Sequence, residues 1–320
     1  MSGNERPFRF GVINERMTTA AAWIAQARRV EALGYATFLI RDHFVPDYFG
    51  DQFAPLTALM AAASATTTLR VGTLVFDNDY RHPVVLAKEA ATLDLLSGGR
   101  LELGLGAGWL RADYAQAGLS YDPNGVRIAR LAEGIQVLKG LFADEPLTFQ
   151  GEHYRITALS GFPKPAQRPG PPLLIGAGKR RMLTLAGRHA DIVGFLTTSV
   201  ATGVVEDDPG ERLPESLDQK IAWVREGAGP RFPQLELSLI PTVIITDDRE
   251  GRAEQVIAER GWRGITRQQI LAMPAFLIGT TAQLAADLCA RRERFGISYY
   301  VIADDQQEAC APLVAALAGR

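Results

Sequence analysis

The chain has 320 residues, of which 47% are apolar, and this is enough for one large hydrophobic core of the size found in single-domain α/β barrels. Its formal net charge of −2 excludes the overall basic field with which proteins attract nucleic acid or an anionic membrane surface. We expect a cytoplasmic protein, because no stretch approaches ~20 apolar residues without a charge, no signal-peptide pattern opens the sequence, and Cys289 and Cys310 form no CxxC pair.

Short runs of β-branched and aliphatic residues alternate along the chain with longer helical patterns. This alternation predicts a parallel sheet covered by helices. Eight such units favour a closed (β/α)8 TIM barrel in a single domain, residues 1–320, although periodicity alone leaves an open doubly wound sheet as an alternative. The predicted strands are 8–13, 36–40, 70–75, 101–105, 173–176, 191–195, 235–245 and 297–302, and the predicted helices lie near 19–33, 55–66, 83–96, 124–142, 179–189, 214–228, 249–262 and 280–294, with a closing helix at 305–318.

Two segments interrupt this rhythm. Residues 144–172 contain Gln150-Gly151-Glu152-His153, which is typical of a hairpin turn, followed by a proline-rich tract, and residues 196–213 are polar. Long insertions in such barrels usually lie at the C-terminal ends of the strands, where the loops form the active site. We therefore predict that both segments lie at that face and shape the substrate site.

The sequence Arg41-Asp42-His43-Phe44 follows the second predicted strand. A histidine at a strand end suits a general acid or base near neutral pH, and the neighbouring aspartate offers acceptors to the polar edge of a cofactor. The alternative is a structural histidine whose nitrogens bond to loop backbone. By contrast, the third predicted strand, which ends in Thr73-Leu74-Val75, shows nothing more than a barrel strand by residue type.

Glycine-rich turns follow the fourth and fifth predicted strands. In Gly106-Ala107-Gly108-Trp109 the glycines let the backbone approach a flat ligand and the tryptophan offers a stacking face, unless the turn is simply a packed one. In Gly176-Ala177-Gly178-Lys179-Arg180 a helix start follows the turn, which suits an anion such as phosphate, unless it is a solvated basic turn. Neither turn has the spacing of a Rossmann or a Walker A motif.

No metal site is predicted. The four histidines have no cysteine or carboxylate partner at metal-ligand spacing. Two of them, His82 beside a proline and His189 on an apolar helix, indicate structural roles.

Several segments resemble one family over almost the whole chain. The sequence is similar to the luciferase-like monooxygenase superfamily, and within it most similar to the branch of deazaflavin (coenzyme F420)-dependent oxidoreductases. The most specific segment is LDLLSGGRLELGLGAGW at 93–109. The other segments that carry the resemblance are FRFGVI, RDHF, RVGTLVF, RHPVVLAKEAAT, PPLLIGAGKRR and FLIGTTAQLAADL.

The resemblance implies a bacterial-luciferase-like barrel and a role for each site residue. His43 would face the reactive centre of the cofactor ring and serve the proton step, while Asp42 would bond the pyrimidine edge. A cis peptide bond at Leu74–Val75 would support the ring from behind, next to Thr73. The pocket around the ring would be lined by Gly106, Ala107, Gly108 and the second catalytic position, Trp109, and the cofactor phosphate would be held by Gly176, Ala177, Gly178, Lys179 and Arg180, with Thr197 or Thr198.

The same resemblance implies hydride transfer between F420 and a small organic substrate, by a protein expected to be a homodimer. A docking place for the long acidic tail of F420 is offered by the basic residues after Gly178. The alternative is an FMN-dependent monooxygenase that uses reduced flavin and oxygen, and a third reading is a barrel that carries or senses a deazaflavin without turnover. Some deazaflavin-dependent sugar-phosphate dehydrogenases have a catalytic glutamate where Trp109 stands, so a sugar phosphate is a poor expectation for the substrate.

Overall fold

Thirteen strands are present in the computed structural model, which describes residues 6–16, 18–46, 48–200 and 202–320. Most of them are short, apolar and fully buried, as strands of a covered parallel sheet must be. In chain order they are β1 (Arg9–Asn14), β2 (Thr37–Ile40), β3 (Arg70–Thr73), β4 (Phe76–Asp77), β5 (Leu101–Gly106), β6 (Leu147–Gln150), β7 (Arg155–Leu159), β8 (Leu173–Ala177), β9 (Ile192–Phe195), β10 (Glu236–Leu239), β11 (Thr242–Ile245), β12 (Phe276–Gly279) and β13 (Ile297–Ala303).

Eight parallel strands close into a barrel. Its neighbours run in the order β3, β2, β1, β13, β10, β9, β8 and β5, and β5 pairs with β3 to complete the ring. The two-residue β4 continues the line of β3 and pairs with the end of β5. The predicted closed TIM barrel is therefore confirmed, and the open doubly wound alternative is excluded by the β3–β5 pairing.

Eleven helices occur in the described residues and cover the barrel. Two of them begin at Pro55 and Pro83, as expected for a residue that lacks an N–H and suits the first helical turn. In chain order they are α1 (Ala20–Ala32), α2 (Pro55–Ala65), α3 (Pro83–Leu96), α4 (Arg111–Ala117), α5 (Asn124–Phe142), α6 (Arg180–His189), α7 (Pro214–Ala228), α8 (Arg249–Glu259), α9 (Arg267–Ala272), α10 (Thr281–Phe295) and α11 (Gln307–Leu317).

The inside of the barrel is closed at the N-terminal ends of the strands. There Arg9 on β1 bonds Glu236 on β10 at 2.7 Å and Glu102 on β5 at 2.5 Å, and all three side chains are mostly buried. Burial alone would disfavour the charged form of Glu102, but the two guanidinium groups of Arg9 and Arg70 outweigh it and lower the pKa of that carboxyl. Next to this ion network, a cluster of buried side chains fills the interior of the barrel: Ile13, Leu39, Leu74, Leu174, Ile192, Tyr299 and Val301.

The single strand predicted at 235–245 is wrong, because the chain forms two strands there. Pro241 lies between β10 and β11 and has no N–H to continue a ladder, so the barrel strand ends at Leu239. The second part, β11, pairs in parallel with β12, a strand that the sequence pattern did not reveal. Together with α8 and α9 these two strands form an excursion, residues 240–280, that has its own apolar cluster around Trp262 and Phe276.

The predicted location of residues 144–172 is also wrong. The hairpin at 150–153 is confirmed, since β6 and β7 pair antiparallel across that turn. However, the segment follows helix α5 rather than a strand, so it returns along the helix layer to the N-terminal ends of the strands. There Gln167 donates its backbone N–H to Asp94 at 2.9 Å and its amide N–H to the carbonyl of Leu101, the first residue of β5, at 2.9 Å.

The segment 196–213 does follow a strand and lies at the C-terminal face, as predicted. It is fastened to the excursion by Asp207, which accepts hydrogen bonds from Arg212 at 2.6 Å and from Arg260 at 2.9 Å. Arg212 is buried, and its guanidinium lies 5.6 Å from the ring centres of both Trp262 and Phe276. Among the described residues, no helix is long and apolar enough to cross a membrane.

Candidate active site

A cavity of about 220 Å³ opens at the C-terminal ends of the barrel strands. Its walls come from the ends of β2, β4, β5, β8, β9 and β10 and from the start of α5, and they are mostly apolar. Of the predicted site residues, those that line it are Asp42, His43, Leu74, Val75, Gly106, Ala107, Gly108, Trp109, Gly176, Ala177, Gly178, Lys179 and Thr198. Those that do not line it are Thr73, Arg180 and Thr197.

The floor of the cavity is the bulge between β3 and β4. The bond Leu74–Val75 is cis, so that prediction is confirmed. The Val75 side chain leaves no room beside it: a Cβ on Gly106 would lie 2.7 Å from Cγ2 of Val75. Thr73 lies below the floor, fully buried, and donates its hydroxyl to the carbonyl of Gly104 at 2.9 Å. Glycine at position 106 is thus required for the floor to meet the opposite wall.

His43 is oriented by a carboxylate that the sequence did not point to. Its Nδ1 lies 2.7 Å from Oδ2 of Asp113, the third residue of α4, and Asp113 is fully buried. The other oxygen of Asp113 accepts the N–H groups of Phe44 at 2.8 Å and Val45 at 2.9 Å, and Oδ2 also accepts the hydroxyl of Tyr80 at 3.0 Å. This arrangement leaves Nε2 of His43 for a molecule in the cavity.

The ionisation of Asp113 decides which nitrogen of His43 carries its proton. Burial by itself raises the pKa of this carboxyl, but the hydrogen bonds from His43 and from the backbone of Val45 and Phe44 outweigh burial and lower it. The carboxylate is therefore charged and accepts only, so Nδ1 of His43 must donate. A neutral His43 consequently presents the lone pair of Nε2 to the cavity.

Asp42 is held by a neighbouring arginine. Its two oxygens accept Nη1 of Arg81 at 2.6 Å and Nη2 at 3.1 Å, and the N–H of Asp77 adds a third bond at 3.2 Å. Asp42 is almost fully buried but still lines the cavity. Both oxygens of Asp42 already accept hydrogen bonds, so a cofactor edge would have to share them with Arg81 and Asp77. The contact of Asp42 with a cofactor stays a prediction.

Asp77 is a second carboxyl at the cavity wall that sequence reasoning missed. Its oxygens accept the hydroxyl of Tyr114 at 2.8 Å and the N–H of Asp79 at 2.9 Å. Burial is the main cause that raises its pKa to about 7, and the nearby charges of Asp79 and Asp42 add to it. This wall of the cavity thus holds a carboxyl that takes up a proton near neutral pH.

The glycine-rich turn after β5 is fixed by Arg127 of α5. Its guanidinium is buried and donates to the carbonyls of Gly108 at 2.5 Å and Ala107 at 3.1 Å. Gly108 has φ +71°, and a Cβ there would fall 1.9 Å from the hydroxyl oxygen of Tyr114. Only glycine fits this position, so the turn keeps one shape beside the cavity.

Aromatic side chains surround His43. Its ring stacks on Phe49 with 5.2 Å between ring centres, and the ring of Trp109 meets it edge-on at 5.7 Å. Tyr48 packs on Trp109 at 5.6 Å. The side chain of Arg41 is mostly buried: its guanidinium pairs with Glu15 at 2.5 Å and covers the ring of Phe49 at 3.8 Å.

The basic turn after β8 lies at the other end of the cavity. Lys179 lines the cavity but its ammonium pairs with Glu211, which also binds the buried Lys220 at 2.9 Å. Arg180 is two-thirds exposed and pairs with Glu226 at 3.1 Å, outside the cavity. Thr197 accepts a long bond of 3.5 Å from Arg212, whereas Thr198 lines the cavity.

The residues of this site that were not predicted include Asp77, Asp113, Arg127 and Glu211. None carries a local spacing pattern, because each meets its partners only through the fold. No group of three or more metal-ligating side chains occurs in the part of the chain that the structure describes.

The sequence is similar to those of known proteins over most of its length. Residues 6–285 match the family described as luciferase-like monooxygenase. The chain belongs to that family. This luciferase-like protein is 31% identical over 208 residues to a protein of Amycolatopsis mediterranei (strain U-32) described as F420-dependent glucose-6-phosphate dehydrogenase, covering 64% of this chain and 58% of that one. It thus spans less than two thirds of that relative's length.

Two further similar proteins use different cofactors, FMNH2 and F420. The luciferase-like chain is 27% identical over 255 residues to the FMNH2-dependent dimethylsulfone monooxygenase of Pseudomonas putida, covering 78% of this chain and 66% of that one. Among solved structures, an F420-dependent secondary alcohol dehydrogenase in complex with an F420–acetone adduct superposes with a TM-score of 0.75. That likeness covers 97% of this chain and 99% of the other at 17% identity, so it concerns the fold.

Proposed function

We propose that this luciferase-like protein is an F420-dependent oxidoreductase that transfers a hydride between the deazaflavin and a small organic substrate. The observation that carries the proposal is His43, which Asp113 orients at 2.7 Å so that its other nitrogen serves a cavity at the strand ends. Hydride transfer needs two reactants held in place and one group that moves a proton. The cavity supplies the first and His43 the second.

The residues present fit a flat ring with a phosphate at one end. Gly106, Gly108 and Gly178 form a cradle with no room for side chains, since a Cβ on Gly178 would lie 3.1 Å from Cβ of Leu196. Val75, which lines the cavity, would support the ring from below. At one end the turn before α6 offers free backbone N–H groups and the ammonium of Lys179, which a phosphate would share with Glu211. A bound deazaflavin would supply the centre that accepts or donates the hydride.

His43 would carry the proton that accompanies the hydride. In the oxidising direction Nε2 takes the proton of a substrate hydroxyl, because its lone pair faces the cavity while Nδ1 is committed to Asp113. In the reducing direction the protonated ring donates from the same nitrogen. Asp113 remains charged throughout and stabilises the imidazolium.

The substrate side of the cavity favours a small molecule of low polarity. The cavity is lined beside His43 by the ring of Trp109, and the rings of Phe49 and Tyr48 pack behind these two side chains. The guanidinium of Arg41 is already paired with Glu15. A sugar phosphate would bring a dianion into an aromatic pocket with no unpaired cation among these residues. We therefore favour alcohols or carbonyl compounds of modest size, even though the Amycolatopsis relative is described as acting on glucose 6-phosphate.

The choice of F420 over FMN rests on the higher identity to the F420-dependent relative, 31% against 27% for the FMNH2-dependent one. The experiment is a titration of the purified protein with each cofactor, followed by stopped-flow mixing of the reduced complex with a panel of carbonyl compounds. We expect a colourless preparation, quenching of deazaflavin fluorescence on binding, and hydride transfer without oxygen uptake. Tighter binding of FMN with oxygen-dependent turnover would establish the monooxygenase alternative, and deazaflavin binding without any turnover would favour a carrier or sensor.

We also propose a homodimer located in the cytoplasm. The apolar side chains Val85, Leu95 and Leu96 of α3 are exposed by about half or more, as in a surface that a second subunit covers. Both cysteines are free, which suits a reducing compartment. Sedimentation of the native protein and cell fractionation test the two statements separately.

A further inference from the structure

A basic groove runs along the outside of the barrel between α5 and α6. Arginines and one hydroxyl form one wall, at Arg180, Arg181, Thr184 and Arg188, and apolar residues of α5 from Ile128 to Ala132 form the other. Among the described residues, no carboxylate lines it. The positions 181, 184 and 188 recur at helical spacing, so their side chains lie on one face of α6.

This groove begins where the cavity ends. Ile128 lines both, and the first turn of α6 separates them: Lys179 and Met182 face the cavity, whereas Arg181 faces the groove. A molecule whose phosphate lies at Lys179 would therefore meet Arg181 next if it continued outward. The guanidinium of Arg188 follows about 10 Å further along the helix, at 1.5 Å per residue.

The groove arginines are available to a ligand. Within residues 6–16, 18–46, 48–200 and 202–320, the structure gives Arg181 and Arg188 neither an ion pair nor a side-chain hydrogen bond. Arg180 pairs with Glu226, but both side chains are more than half exposed, and such a pair contributes little. Guanidinium groups gathered without counter-charge beside a site favour a planar anion such as a carboxylate.

The size of the cavity requires an exit for a long cofactor. Its 220 Å³ is below the ~300–1,000 Å³ of sites that enclose a whole drug-sized ligand. A cofactor made of a tricyclic ring, a ribityl phosphate and an acidic tail therefore has to leave the cavity beyond the phosphate. The groove, which shares Ile128 with the cavity, offers a basic surface at this end.

We propose that the groove binds the carboxylate tail of the deazaflavin, with Arg181 and Arg188 as the residues that hold it. The inference rests on the proposed function and goes beyond it, since ring and phosphate would bind without the groove. Arg181 would contact the first carboxylate after the phosphate and Arg188 a later one. Longer tails should consequently bind more tightly than short ones.

The test compares F420 with its glutamate residues present and the same deazaflavin from which they have been removed. Affinities are measured by fluorescence titration for the intact chain and for Arg181→Gln/Arg188→Gln. Arg263→Gln/Arg267→Gln serves as the control, because it removes the same charge from exposed positions on the excursion. We expect the groove variant to bind tailed F420 roughly 2- to 30-fold more weakly, to bind the tail-free form within about 2-fold of the unchanged protein, and to lose this difference at high salt.

Two results would overturn the inference while the proposed function stands: unchanged affinity of the groove variant for tailed F420, or an equal loss for both forms. An equal loss in the control variant would likewise overturn it, since the effect would then come from net charge. Failure of the unchanged protein to bind either deazaflavin would overturn the proposed function itself, and this inference with it.

Discussion

Replacing Asp113 by asparagine tests how His43 is oriented. The buried carboxylate accepts four hydrogen bonds of 2.7 to 3.0 Å, from the ring of His43, the backbone of Phe44 and Val45, and the hydroxyl of Tyr80. An amide of the same shape keeps one acceptor oxygen for the two backbone N–H groups. Its NH2 group then faces the side that receives His43 and Tyr80, so Nδ1 of His43 must accept and the proton moves to Nε2.

The expected cost is large for the reaction and moderate for stability. A histidine fixed in the wrong tautomer no longer serves the proton step, so we expect the hydride-transfer rate to fall by ~10²–10⁴-fold with little change in cofactor affinity. Bonds to a charged group contribute ~1.5–3 kcal/mol each, and the amide replaces part of them, so we expect the free energy of unfolding to fall by about 2 kcal/mol.

Stopped-flow kinetics and chemical denaturation measure the two effects. Because the folded state lowers the pKa of Asp113, its stabilisation is complete above the ordinary pKa of ~3.9 and is lost as pH falls through the lower value. The stability difference from Asp113→Asn should therefore shrink below pH ~4. Asp94→Asn is the control, since Asp94 is equally buried but bonds Gln167 at the other end of the barrel. A rate within threefold of the unchanged protein would refute the orienting role of Asp113.

Three further changes test other parts of the site. His43→Ala should lower the hydride-transfer rate by ~10²–10⁴-fold in stopped-flow assays while cofactor titration gives an unchanged affinity, and a rate that barely moves would assign the proton to another group. Lys179→Ala should weaken cofactor binding by roughly 10- to 150-fold. Arg180→Ala should change the affinity by less than about 3-fold, because this side chain points away from the cavity. Equal effects of the two variants on affinity would contradict the different roles of Lys179 and Arg180. Because burial raises the pKa of Asp77 to about 7, the folded protein holds a proton that the unfolded chain releases near pH ~4. The free energy of unfolding should therefore fall as pH rises from ~4 to ~7, and Asp77→Asn should flatten that slope in denaturation curves. If the pH dependence of the variant runs parallel to that of the unchanged protein, Asp77 is ionised in the folded state.

The barrel could be predicted from the sequence, but only part of the site could. Apolar runs and helical patterns are repeated local signals, so the eight barrel strands and the closed barrel followed from them, and the cis bond at Leu74–Val75 followed from a family resemblance. The break at Pro241 was readable, since a proline inside a predicted strand argues against one continuous strand. β12 was harder to see, because its four apolar residues run directly into the helix signal of α10.

The partners of the site residues were beyond local reasoning. Asp113 lies 70 positions from His43, in a short helix whose start has no side-chain cap. Arg127 resembles any arginine of an amphipathic helix until the fold brings it to the carbonyls of 107 and 108. Arg180 shows the opposite error: a basic residue next to a predicted phosphate turn lies on the face of α6 that points into the groove.

The link between segment 196–213 and the excursion has a consequence for how substrate preference can change. Thr198, Ser199 and Val200 form one wall of the cavity, while the same segment is held through Asp207 and Arg212 to a unit with its own core. Repacking around Trp262 would shift that wall without altering a barrel strand or His43. The shape of the pocket can thus change independently of the chemistry, by substitutions in a unit whose two strands form a sheet separate from the barrel.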